Sequence, residues 1–256
     1  MSTITLIDSH AHLTDPRLVS ETEDILLRAR EAGVGAVVTI ASNAGDSERT
    51  VALAAAYEGV YATVGIHPHE ASTATPEALA EVRDLATRPG VVGIGETGLD
   101  FYYDNAPRDA QYASFRAQLK LARELDLPVI VHARSADDEV VSVIREAGWG
   151  RGILHCFSGG AALLEAVLEL GWYVSFSGVI TFPKWDGKEL LRSVPLNRLL
   201  VETDSPYLAP VPFRGKTNEP GHVRQVAERA AELRGESFEV LAAATAANTR
   251  AVYRIG

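Results

Sequence analysis

The feature that most constrains this chain is a recurring short apolar run that ends in a polar side chain able to bind a metal. Such runs fall at 3–9, 35–41, 60–66, 91–95, 128–132, 152–155, 173–177 and 199–202. They are nearly continuous in Val, Ile, Leu and Ala, the pattern of parallel strands buried on both faces. Between their first and last ends, near His10 and Asp204, the average step is about 28 residues, the length of one strand–helix unit. Amphipathic stretches fill the gaps, most clearly at 110–125 and 161–170, and also at 21–31, 47–57, 77–87 and 137–146. No linker or low-complexity segment interrupts the series, so residues 1–256 read as one domain. The longest stretch without a pattern, 206–220, is rich in Pro and Gly, and a long loop in a compact domain is usually functional.

Eight such units suit either a closed (β/α)8 TIM barrel or an open doubly wound sheet. The polar residues decide between them. Strand 1 ends in His10 and His12, strand 4 in Glu96, strand 5 in His132, strand 6 in His155 and strand 8 in Asp204. Two residues apart on an extended chain, His10 and His12 point to the same side. Imidazole with carboxylate is the ligand chemistry of zinc, manganese and related divalent ions. On an open sheet, strands about 4.8 Å apart would spread these five ends over roughly 19 Å. Metal ligands must lie about 2.0–2.2 Å from the ion. A closed ring gathers the ends around one axis, and a barrel keeps its active site at that face. Any one His alone reads more readily as a satisfied core residue than as a ligand, and Glu96 or Asp204 alone reads equally well as an ion-pair partner. Six in register at one end read as a metal site.

Longer motifs surround these positions. They are Asp8-Ser9-His10-Ala11-His12-Leu13, Gly65-Ile66-His67-Pro68-His69, Gly95-Glu96-Thr97-Gly98-Leu99-Asp100, Pro128-Val129-Ile130-Val131-His132-Ala133-Arg134, His155-Cys156-Phe157-Ser158-Gly159 and Glu202-Thr203-Asp204-Ser205-Pro206-Tyr207-Leu208-Ala209-Pro210. Arg214-Gly215-Lys216-Thr217-Asn218-Glu219-Pro220 continues the last. From residue 8 to about residue 250 the chain resembles the TatD-type deoxyribonucleases. The resemblance implies a metal-dependent TIM barrel of the amidohydrolase group with nuclease activity on DNA. It also implies two divalent ions held by His10, His12, Glu96, His132, His155 and Asp204, with Glu96 bridging; four imidazoles and two carboxylates suit Zn, Mn, Co or Ni, and Mg less well. Ala11 stands where the family often has Cys, which leaves both flanking ligands in place. Thr217 stands where a basic residue is common.

Other residues carry weaker signals. His67 and Arg134 are candidate substrate contacts, as is Arg214 in the long loop, with Lys216 beside it; Arg suits bidentate phosphate binding. The bland readings are a loop-ordering His67, a surface ion pair of Arg134 with Asp137 or Asp138, and a solvated loop. His69 is more readily a loop-ordering residue still. Tyr102, Tyr103 and Trp185 suit base stacking or rim packing equally. Glu202 reads as a buried network partner and Cys156 as core packing. The Gly93-Ile94-Gly95-Glu96-Thr97-Gly98 match to a dinucleotide fingerprint is not followed by a helix start, and Glu96 is claimed by the metal site.

The mechanism expected is attack on a phosphodiester by metal-activated water, with Asp204 as general base and Glu96 setting the ion spacing. A net charge of −10 opposes a broad grip on duplex DNA, which favours exonucleolytic action at single-stranded ends. An amide or ester hydrolase, such as a deacylase or lactonase, is the alternative on the same ligands. A non-catalytic nucleic-acid binder is a third. DNA is the expected partner, with no membrane and no obligate protein, and the chain is expected to act as a monomer. One cysteine and no signal-like N-terminus suggest a reducing, cytoplasmic setting.

Overall fold

A computed structural model describes residues 5–256. Among them are eight strands: β1 (Leu6–Ala11), β2 (Val34–Thr39), β3 (Val60–Val64), β4 (Val91–Asp100), β5 (Val129–Arg134), β6 (Gly152–Leu154), β7 (Tyr173–Phe176) and β8 (Leu199–Val201). Each pairs in parallel with its sequence neighbour, in the order β1 to β8. The ring is drawn together at one end by a parallel bridge between Ala11 and Ser205. There His12 N–H donates to Ser205 O (2.7 Å) and Asp204 N–H to His10 O (3.0 Å). The (β/α)8 barrel is therefore the fold.

The helices are α1 (Thr22–Glu31), α2 (Ala44–Ala56), α3 (Pro76–Leu85), α4 (Arg108–Glu124), α5 (Asp137–Ala147), α6 (Ala161–Glu169), α7 (Lys188–Ser193), α8 (Val223–Arg234) and α9 (Phe238–Tyr253). Strand side chains alternate between two cores. Leu6, Val37, Val129 and Val131 join the larger one, beneath the helices. Ile7, Val38, Ile40, Val92, Ile130, Ile153 and Leu200 fill the barrel interior, where Ala246, Val252 and Tyr253 of α9 pack against them. The barrel is thus a packed interior rather than a pore, and polar residues gather at the carboxyl end of its strands.

Two boundaries differ from the sequence expectation in an instructive way. The first run, 3–9, begins outside the described residues, and its strand extends to Ala11. Strand 4 does not stop at Gly95 but continues to Asp100, with Gly98 opposite His132 and Asp100 opposite Arg134. The Gly-rich motif is strand because its glycines permit close approach. Gly98 has φ +132°, and a Cβ there would meet His132 O at 2.0 Å. No helix among the described residues is long and apolar enough to cross a membrane.

Candidate metal centre

Two strand irregularities aim the site. β1 spends three steps, Asp8 to Ala11, where β2 spends two, Val37 to Thr39. β4 spends three, Ile94 to Thr97, where β5 spends two, Val129 to Val131. Bulges redirect side chains, and these two carry His10 and Glu96. Asp204 sits at φ +56°, a left-handed conformation that Asp tolerates better than most residues.

All six expected ligands converge. Glu96 is buried, and its two oxygens face different imidazoles. Oε1 lies 2.7 Å from His155 Nε2, 3.1 Å from His132 Nδ1 and 3.5 Å from His67 Nε2. Oε2 lies 3.4 Å from His10 Nε2 and 3.7 Å from His12 Nε2. Asp204 Oδ1 joins the second set, 3.5 Å from His12 Nε2 and 3.7 Å from His10 Nε2. Three overlapping groups hold donor atoms within 4.8 Å of one another: His10, His12 and Glu96; His10, His155 and Asp204; His67, Glu96 and His132.

The outer nitrogens fix which ring atom faces inward. His12 Nδ1–H donates to Ile40 O (3.2 Å), His132 Nε2–H to Asp100 Oδ2 (3.1 Å) and His155 Nδ1–H to Glu202 Oε1 (3.3 Å). The inward atoms, Nε2, Nδ1 and Nε2 respectively, are then bare lone pairs. His10 stacks on His155 with ring centroids 4.0 Å apart, and its buried Nδ1 has no partner among the described residues. The Nε2 atoms of His10 and His12 stand 3.3 Å apart. Inward lone pairs crowded against the carboxylates of buried Glu96 and partly buried Asp204 repel one another unless a positive charge sits among them. This donor set fits divalent cations, and the outer acceptors are the partners that orient metal-binding histidines.

Titration tells the same story with protons in place of cations. Burial alone would push His12, His132 and His155 down. Asp204 at His12, Asp100 at His132 and the charge of Glu96 at His155 outweigh burial and hold all three above the usual imidazole value. Burial likewise favours neutral Glu96, but the His155 charge and the hydrogen bonds of His10 and His132 hold it well below the usual carboxylate value. Burial also opposes charge on Asp204, and the His12 hydrogen bond with the His10 and His155 charges outweighs it, so Asp204 is lowered.

His67, expected to touch substrate, is placed inside this cluster. Its Nδ1 accepts from His69 N–H (3.1 Å), which puts its proton on Nε2, facing Glu96. Burial lowers it to about 4, so it is a neutral N–H donor. His69 donates to Asp100 Oδ2 at 2.8 Å. Arg134 lines the cavity above the cluster, its guanidinium 4.7 Å from the Tyr102 ring centre and 4.9 Å from that of Tyr103. It has no carboxylate within 4.0 Å among the described residues; Asp137 instead accepts from Gly160 N–H. Arg214 lies over Phe182 at 3.6 Å and does not line this cavity. Trp185 lines a neighbouring recess that shares Ser158 with it. Cys156, read as core packing, instead faces the cavity, because φ +45° turns its strand end; its Sγ lies 3.1 Å from Ser177 Oγ.

Three residues escaped the sequence reading. Asp100 joins His69 and His132 through one oxygen and accepts Tyr102 and Tyr103 N–H through the other (3.0 and 2.9 Å). Arg49 and Tyr207 line the same cavity of about 550 Å³. Asp100 stood in a quoted motif, and continuation of β4 is the signal that would have aimed it inward.

The profile described as TatD related DNase matches residues 7–254. An uncharacterized metal-dependent hydrolase, YabD of Bacillus subtilis (strain 168), is 39% identical over 253 residues, covering 98% of this chain and 99% of that one. The 3'-5' ssDNA/RNA exonuclease TatD of Erwinia amylovora is 35% identical over 257 residues, covering 97% and 99%. The crystal structure of YJJV, a TatD homologue from Escherichia coli K12, superposes with a TM-score of 0.93 at 32% identity, covering 98% of each chain.

Proposed function

From the premise that this chain belongs to the TatD-related DNase family, a family of metal-dependent hydrolases, we propose that it hydrolyses phosphodiester bonds in single-stranded DNA from an end. The observation that carries the reading is the division of Glu96. His10 and His12 gather on one of its oxygens, with Asp204 beside those two rings, and His132 and His155 on the other. Those residues would hold two divalent cations, with Zn, Mn, Co or Ni better suited than Mg to so many nitrogens. Bound there, the cations supply an acidified water and neutralise charge developing at phosphorus.

The chain's own residues do the rest. Asp204 is ionised, and its second oxygen makes no hydrogen bond among the described residues, so it can accept a proton from the attacking water. Neutral His67 presents Nε2–H as a donor to a substrate oxygen. Arg134, at the mouth and without an ion-pair partner among the described residues, binds phosphate oxygens in a fork. That free cation favours a phosphodiester over the neutral amide or ester of the alternative reading. Arg214 is left as an outer backbone contact. The exonuclease relatives support 3'-to-5' polarity, and the net charge of −10 supports a contact confined to the strand end. We read residues 1–256 as one hydrolase domain acting as a monomer in a reducing, cytoplasmic setting.

The test is digestion of an end-labelled single strand by chelator-treated protein, with each metal restored in turn. Metal-restored release of nucleotides is expected. Release from a lactone or amide panel but not from DNA would move the assignment to the alternative class.

A further inference from the structure

Two exposed tyrosines stand on opposite sides of the cavity mouth. Tyr103 follows β4 and is 53% exposed; Tyr207 follows β8 and is 48% exposed. In an eight-stranded ring these positions lie across the axis from one another. Each ring has a guanidinium over it, from Arg134 for Tyr103 and from Arg17 for Tyr207 (4.4 Å). The two rims differ in charge. Arg17 is held bidentately by Asp15, at 2.9 Å for both contacts, and Arg49 by Asp46 at 2.8 Å. Arg134 has no such partner among the described residues. The β8 rim is therefore an aromatic surface whose cation is already neutralised, and the β5 rim keeps a cation for phosphate.

Tyr207 is also pinned. Its N–H donates to Asp204 O (2.9 Å), and its carbonyl accepts from Asn218 Nδ2 (2.6 Å). Its hydroxyl lies 3.5 Å from Asp15 Oδ2, and its ring meets His12 edge-on with centroids 6.1 Å apart. A ring so held and still half-exposed gives up little conformational freedom on binding. We propose that Tyr207, backed by the Asp15–Arg17 pair, is a stacking seat for the nucleobase next to the scissile phosphate, and so selects unpaired nucleotides. A paired base in a duplex is already stacked and cannot offer its face. This rests on the nuclease reading above.

The test compares metal-loaded wild type, Tyr207→Ala and Tyr207→Phe on two labelled strands. One is an ordinary single strand; the other carries tetrahydrofuran in place of the three terminal bases at the attacked end. KM, kcat and binding by fluorescence anisotropy are measured on each. Tyr207→Ala is expected to raise KM on the ordinary strand about 10-fold, with kcat little changed. On the base-free strand its KM is expected to match wild type, and Tyr207→Phe is expected to match wild type on both. Equal KM increases on the two strands, a loss confined to kcat, or a Phe variant that behaves like Ala would each overturn the seat. If wild type cleaves neither strand, the nuclease reading fails instead. Anisotropy then decides the seat separately: base-dependent weakening by Tyr207→Ala sustains it, and its absence overturns it.

Discussion

Asp100→Asn isolates a partner that touches no proposed cation. In the native carboxylate, Oδ1 accepts two backbone N–H groups, from Tyr102 and Tyr103, and Oδ2 accepts Nε2–H from both His69 and His132. An amide cannot accept at both ends. With its oxygen kept toward the two backbone donors, its NH2 faces the two imidazoles. His132 must then present a bare Nε2, and its proton moves to Nδ1, the atom 3.1 Å from Glu96 Oε1. A protonated Nδ1 is no ligand. Turning the amide the other way would strand two backbone N–H groups, at about 1–3 kcal/mol each. Losing an outer partner of this kind costs about 10–100-fold in metal affinity. That is roughly 1.4–2.7 kcal/mol. The assay is competition for Mn2+ or Zn2+ against a chromogenic chelator, with circular dichroism confirming the fold. One of two binding steps should weaken by that factor while the other holds. Unchanged affinity in both steps would refute the tautomer argument.

Other consequences follow from the same geometry. Cation binding must displace the protons held on His12, His132 and His155, all raised against the pull of burial by Asp204, Asp100 and Glu96. Calorimetry in buffers of different ionisation enthalpy should show proton release, with affinity rising with pH; affinity flat from about pH 6 to 8, across the ordinary imidazole range, would contradict this. Buried Asp8 is raised to about 8, chiefly by burial, so the unfolded chain sheds this proton from about pH 4 while the native state keeps it to about 8. Its contribution to stability is full below that window and is lost as pH rises through it. Asp8→Asn should therefore gain on wild type in urea unfolding of the metal-free protein between these limits, and parallel curves would refute the assignment. Gly98→Ala places a Cβ against His132 O at a left-handed φ and should destabilise by about 3 kcal/mol or more, or abolish soluble expression; a near-native melting temperature would contradict the close approach.

The barrel and the six converging residues were legible because each rests on a local pattern. A strand buried on both faces writes an apolar run, and its carboxyl end writes the first polar residue after it. What was not legible depends on contacts between distant segments or on backbone detail. The apolar run ends at Gly95, because glycines at 95 and 98 lower strand propensity, yet the β4–β5 ladder continues through them to Asp100. Arg17 and Tyr207 are 190 residues apart and meet because the ends of β1 and β8 close the ring. The donor role of His67 follows from a single backbone N–H capping its Nδ1, which no spacing rule encodes. Cys156 reads as core packing from its sequence, and a positive φ turns it to the cavity instead.

The most direct test of the centre is anomalous diffraction from crystals soaked in Mn2+. Two peaks are predicted, one bonded to His10, His12, Asp204 and one oxygen of Glu96, the other to His132, His155 and the second oxygen. No peak at saturating Mn2+, or peaks bonded to none of these side chains, would contradict the account.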